Sequence, residues 1–135
     1  MRSFLLILFI LSGIAIIFYL SWLPDPKIGI TWFIPDWMAT WTDARENDTI
    51  RTGVPFILLG MGVGCWLFRK TYSWPAWIIS WFGMVAVVLA AETGQIFLPY
   101  RSFDWYDIAW GALGAVVGLS IALVSPYTLK RLKLC

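Results

Sequence analysis

Apolar residues along this chain gather into four long unbroken runs, with neither the alternation of a half-buried strand nor the single stripe of a soluble amphipathic helix. The runs begin at Phe4, Gly53, Trp74 and Ile108. Each has roughly the 17 to 20 residues that a helix needs to cross a bilayer's hydrocarbon core. Charge, proline and tryptophan cluster between them. The pattern predicts an all-α membrane protein, a bundle of four transmembrane helices over about 4–23, 53–68, 74–95 and 107–125. They nearly exhaust the chain, so residues 1–135 form one domain. Pro55 and Pro75 fall in first turns, where a missing amide costs nothing. Pro126 is expected to close the last helix. The first run has the basic start of a signal peptide. Its apolar length exceeds the usual ~7 to 15 residues, and no small-x-small pattern precedes Pro24, so it is expected to be a retained helix.

Charge placement predicts the orientation, because cations beside spanning helices are retained in the cytoplasm. The start, the second connection and the tail carry Arg2, Arg69, Lys70, Lys130, Arg131 and Lys133 and no acid. The 24–52 and 92–107 regions hold all eight acids against four bases, which leaves them at −4. Both termini are therefore expected in the cytoplasm of a multi-pass membrane protein, with the two acidic regions outside.

Composition narrows the chemistry. With 60% hydrophobic and 13% charged residues, the chain has no room for a soluble catalytic module. It contains no histidine, and its two cysteines, Cys65 and Cys135, lie far apart. That excludes histidine-dependent triads, thiol-metal spacing and histidine ligation of haem, so no cofactor and no metal site are expected. Gly60-Met61-Gly62-Val63-Gly64 resembles a phosphate loop only in glycine content. It lacks the lysine and sits mid-helix. An acidic outer face repels phosphate backbones, which argues against nucleic acid.

Of the ten tryptophans, Trp22, Trp37, Trp41 and Trp105 fall near the outer interface and Trp66, Trp74 and Trp77 near the inner one, as amphipathic rings prefer. In the long outer segment, Ile34 to Trp41 reads either as a short interfacial helix opened by Pro35 or as an irregular loop anchored by its tryptophans. As a helix it would place Trp37 and Trp41 on one face, where it could lid the bundle.

Gly60 with Gly64 and Gly114 with Gly118 form two GxxxG pairs, and Gly111 adds a further small position. Small residues let helix backbones approach closely. The pairs suit packing of the second helix on the fourth, or a homodimer.

The stretch from Glu92 to Asp107 holds ionisable groups where a spanning helix meets the interface. Glu92 and Gln95, three apart, share a helical face. A carboxylate at membrane depth calls for a partner. Arg101, on the tight connection after Pro99, can fork onto Glu92 or Asp107 and still donate to Gln95. Asp107 precedes the fourth run and is expected to cap it. With Asp104, these residues make one candidate polar pocket: Glu92, Gln95, Arg101, Asp104 and Asp107. It reads either as a site for a polar lipid headgroup or proton exchange, or as a clasp fixing the third and fourth helices. Glu92 or Asp107 could act as acid or base, but no nucleophile, metal set or second catalytic group accompanies them.

Glu92, Gln95, Pro99, Arg101, Asp107, Gly114 and Gly118 together resemble the VanZ-like membrane proteins, whose pattern is Glu-x-x-Gln, then Pro and Arg, then Asp and spaced glycines. An earlier family element, an Asp-Lys pair followed by His, aligns with Asp48, Thr49 and Thr52, and Gly60 falls on the family glycine. Thr49 and Thr52 replace the Lys and His, and Gly111 the family Asn. The resemblance implies a small bacterial membrane protein of a family named for low-level resistance to the glycopeptide teicoplanin. Two functions follow as expectations. One is an envelope protein that recognises a polar lipid headgroup or amphiphile through Glu92, Gln95, Arg101 and Asp107. The other is a non-catalytic accessory subunit docked on a larger membrane complex.

Overall fold

The computed structural model describes residues 2–24, 27, 32–44, 47 and 50–131, and among these places side chains from residue 4 through residue 125. Its elements are α1 (Arg2–Ser21), α2 (Asp36–Thr42), α3 (Gly53–Arg69), α4 (Trp74–Gln95) and α5 (Trp105–Arg131), with one 3-10 turn at Ile50–Thr52 leading into α3. No strand occurs among the described residues. Four of the helices, over Phe4–Ser21, Ile50–Arg69, Trp74–Gln95 and Trp105–Ser125, are long and apolar enough to cross a membrane. Asp48, Thr49, Lys133 and Cys135 lie outside the described residues.

The closest pair is α3 and α5, which run parallel. A Cβ added at Gly60 would lie 2.7 Å from the carbonyl oxygen of Ala115 and 3.2 Å from Cα of Gly118. One at Gly118 would meet the carbonyl of Ile57, and one at Gly114 the carbonyl of Gly53. Farther along, Gly64 faces Ala122. These glycines thus bring the two backbones into direct contact, where dispersion and weak Cα–H···O contacts replace side-chain packing. Gly111 faces Val88 of α4 and the ring of Phe56. The indole Nε1 of Trp81 donates to the carbonyl of Ala112 at 3.1 Å, fastening α4 to α5.

α1 stands apart. It runs antiparallel to α3, with Phe9 against Gly62 and Gly13 against Leu59. Ile17 is its only buried hydrophobic side chain, while Phe4, Leu8, Leu11, Ile16 and Tyr19 are exposed. Lipid solvates such a helix as well as protein does, so apolar burial does little to hold it in place.

Two details depart from the sequence reading. Trp77, expected at an interface, is buried in the bundle over Gly64, where the glycine leaves room for its ring. The last helix continues through Pro126 to Arg131 instead of closing there. Proline's fixed φ suits a helix, and its missing amide takes away one intrahelical bond, the one to the carbonyl of Ala122, without ending the helix. In the segment between α1 and α3 the helical alternative holds, shifted slightly along the chain to Asp36–Thr42. Pro35 opens α2: its carbonyl accepts from the amides of Met38 and Ala39 at 2.9 and 3.0 Å.

Replacing Gly118 by Val drives a branched side chain into the backbone of α3. Chemical unfolding in micelles should show a loss of about 3 kcal/mol, the upper range for overpacking. Gly83→Val, whose added Cβ meets nothing within 4 Å, should change stability little.

A polar clasp at the end of an apolar groove

α4 ends in a tightened turn. The amides of Ile96, Phe97 and Leu98 bond to carbonyls three residues back, and Pro99 then stops the helix. This leaves Glu92 and Gln95 on the last inward-facing turn, only 2% and 6% exposed. Gln95 Nε2 donates to Glu92 Oε1 at 2.8 Å and to the hydroxyl of Ser21 at 2.9 Å. Across the connection, the amide of Asp104 donates to Glu92 Oε2 at 3.3 Å. Glu92 and Gln95 together thus tie α4 to α1, through Ser21, and to the start of α5, through Asp104. Asp107 and Arg101 both lie within its electrostatic reach.

Arg101 has partners that the sequence does not suggest. Its Nε donates to the carbonyl of Leu23 at 3.1 Å and its Nη2 to that of Leu20 at 3.3 Å. Those carbonyls belong to the end of α1, where a helix leaves acceptors unfilled and carries partial negative charge. The guanidinium therefore caps α1, while the hydrogen bonds that Glu92 accepts come from Gln95 and Asp104. Trp22 adds a third tie, its Nε1 donating to the carbonyl of Ala91 at 3.1 Å with the indole pressed on Gly94. Arg51 repeats the device on α2, Nη1 donating to the carbonyl of Thr42 at 3.1 Å.

The cap of α5 is Asp104, not Asp107. Asp104 Oδ1 accepts from the amide of Tyr106 at 2.9 Å, the geometry of an N-cap. The helix starts two residues before the expected position 107, so Asp107 falls inside its first turn, where its charge still meets the positive end of the dipole.

Glu92, Gln95, Arg101 and Asp107 line one end of a cavity of about 720 Å³, within the usual range of ligand pockets. The cavity runs between α1 and α3 along Phe9, Gly13, Ile17 and Leu58, and Trp37 and Trp41 of α2 lie against it. Arg51 and Thr52 also line it. Asp104 does not reach it. Sequence reasoning missed Ser21, Trp22 and Arg51 as site residues: none belongs to a motif, and Ser21 and Trp22 gain their roles from a helix distant in the chain. Gly60, Gly64, Gly114 and Gly118 lie apart, in the seam between α3 and α5.

An all-helical, multi-pass membrane protein with a polar clasp at one end of an apolar groove is the class that this geometry defines. Within that class, the family model for VanZ/LLP1 matches residues 4–126, and the chain belongs to that family. No curated protein and no solved structure matches it.

Arg101→Ala leaves the α1 carbonyls and the clasp without their cation, a loss of about 1.5–3 kcal/mol per charged hydrogen bond. Hydrogen exchange at residues 20–23 should rise sharply, while α3 and α5 keep their protection. Arg101→Lys, which supplies charge without the fork, should fall between the two.

Proposed function

We propose that this VanZ/LLP1 protein binds a long-chain amphiphile in the outer leaflet of the bacterial inner membrane, its head against Glu92, Gln95, Arg101 and Asp107 and its chain in the groove between α1 and α3. One observation carries the reading: a single cavity joins apolar helix walls to a buried polar cluster. Water alone has no use for the apolar walls, and a clasp alone has no use for an open groove beside it. The charge asymmetry of the connections supports both termini in the cytoplasm and the cluster outside. The indoles of α2 then lie where a lid would meet the headgroup region. The family's link to teicoplanin resistance fits a protein that holds an envelope lipid, or an amphiphilic drug, at that face.

Native mass spectrometry of protein extracted gently from its own membrane tests this. The wild type should carry lipid, and Ile16→Trp, which fills the groove from an exposed position on α1, should lose it with its helix content unchanged. A stoichiometric partner protein in place of lipid would make the chain an accessory subunit and overturn the reading.

A further inference from the structure

The groove between α1 and α3 has two fixed ends. At the polar end, Gln95 is tied to Ser21 and Arg101 to the carbonyls of Leu20 and Leu23, so the cluster holds its position against α1. At the far end, the ring of Phe9 lies on Gly62 of α3, where an added Cβ would stand 2.7 Å from its Cε1 and 2.8 Å from its Cδ1. Glycine admits the ring between the two helices, and the seam closes there. Among the described residues, none beyond Phe9 toward the start of α1, and none beyond Leu59 toward the end of α3, lines the cavity. Ser21 follows Phe9 by twelve residues, which is about 18 Å along a helix at ~1.5 Å per residue. That is close to the ~15 Å of one leaflet, half of a hydrocarbon core about 30 Å thick.

We infer that Phe9 sets the length of the alkyl chain that the groove accepts, the ligand being an amphiphile of about 15 carbons in its chain with the terminal methyl against the phenyl ring. This rests on the amphiphile reading above. A fully extended backbone advances about 3.6 Å over its three bonds per residue, so an extended alkyl zigzag advances about 1.2 Å per carbon and 18 Å holds about 15. Lipid surrounds an alkyl chain with nearly the same apolar matter as the groove does, so burial alone does not select a length. Fit does. A longer chain must buckle against Phe9 or draw its head away from the polar cluster, and a shorter one leaves empty space beside the ring. Phe9 is placed for this task because it lines the cavity while also covering Gly62. One turn nearer the clasp stands Gly13, also on the cavity wall, where an added Cβ would lie at ordinary contact, 3.5 Å from Leu59. The groove is open at that level because the residue is small.

The test exchanges the full chain, purified in mild detergent, against equimolar mixtures of lysophosphatidylethanolamines, or of lysophosphatidylglycerols, with saturated chains shorter than, equal to and longer than the expected length. Native mass spectrometry then reads the retained species relative to the input. Retention by the wild type should peak near 15 carbons in both series, with chains about four carbons to either side kept about fivefold less. Phe9→Ala opens about one further turn, ~5.4 Å, and should move the peak up by about four carbons. Gly13→Leu fills the groove one turn earlier and should move the peak down about as far, and the pair guards against one variant failing to fold. A side chain that only supports α1 would lower retention at every length without moving the peak. That result in the folded variants, or wild-type retention that rises with chain length and shows no maximum, would overturn the assignment. Equal retention at all lengths, still abolished by Ile16→Trp, would overturn the length inference and leave amphiphile binding standing. Retention of no probe in either series would end both.

Discussion

The arrangement of this bundle depends on how closely α3 and α5 approach. Gly60 and Gly64 on one helix and Gly114 and Gly118 on the other remove the side chains that would hold the two axes apart, so backbone meets backbone along a parallel seam. α4 closes over this pair through Val88 and Trp81. Three helices thereby satisfy one another, and α1 is left at the edge. The groove between α1 and α3 results from a core already complete without the first helix.

A helix that gains little from burial needs another attachment, and the clasp supplies it with polar groups. Ser21, Trp22 and the carbonyls of Leu20 and Leu23 concentrate every described hydrogen bond from α1 to the rest of the chain at its last turn. In water such bonds exchange for equivalent ones to solvent and contribute modestly. Beside hydrocarbon the competitor is scarcer, although measured gains remain moderate. The same residues therefore serve as clasp and as the polar wall of the groove. The two readings of the Glu92 to Asp107 stretch, fastening and binding, do not exclude each other.

Much of the architecture could be read from the chain. Four apolar runs of membrane length gave four helices, since hydrocarbon allows the backbone few alternatives. The boundaries at Gly53, Trp74 and Gln95 followed from Pro55, Pro75 and Pro99. Glu92, Gln95, Arg101 and Asp107 were recognisable as one group because ionisable residues at membrane depth are rare. Their partners were harder. Sequence shows the carboxylates within reach of Arg101 but hides the unfilled carbonyls at the end of another helix to which it donates. Asp104 displaced Asp107 as cap because the helix starts three residues before the apolar run. Ser21 and Arg51 carry no local signal: one ends an apolar run and the other precedes one, and only the folded chain brings them to the groove.

The capping of α1 by Arg101 also bears on the order in which the protein is made. Leu20 and Leu23 lie 81 and 78 residues before the arginine that fills their carbonyls. At about 5–20 residues per second, the first helix waits roughly 4 to 16 s after synthesis before its clasp exists. During that time it must remain in the bilayer alone. Its apolar residues on every side, which look wasteful in the finished bundle, equip it for that interval. The last fastening of the first helix is among the later events of biogenesis, and the groove acquires its polar end only then.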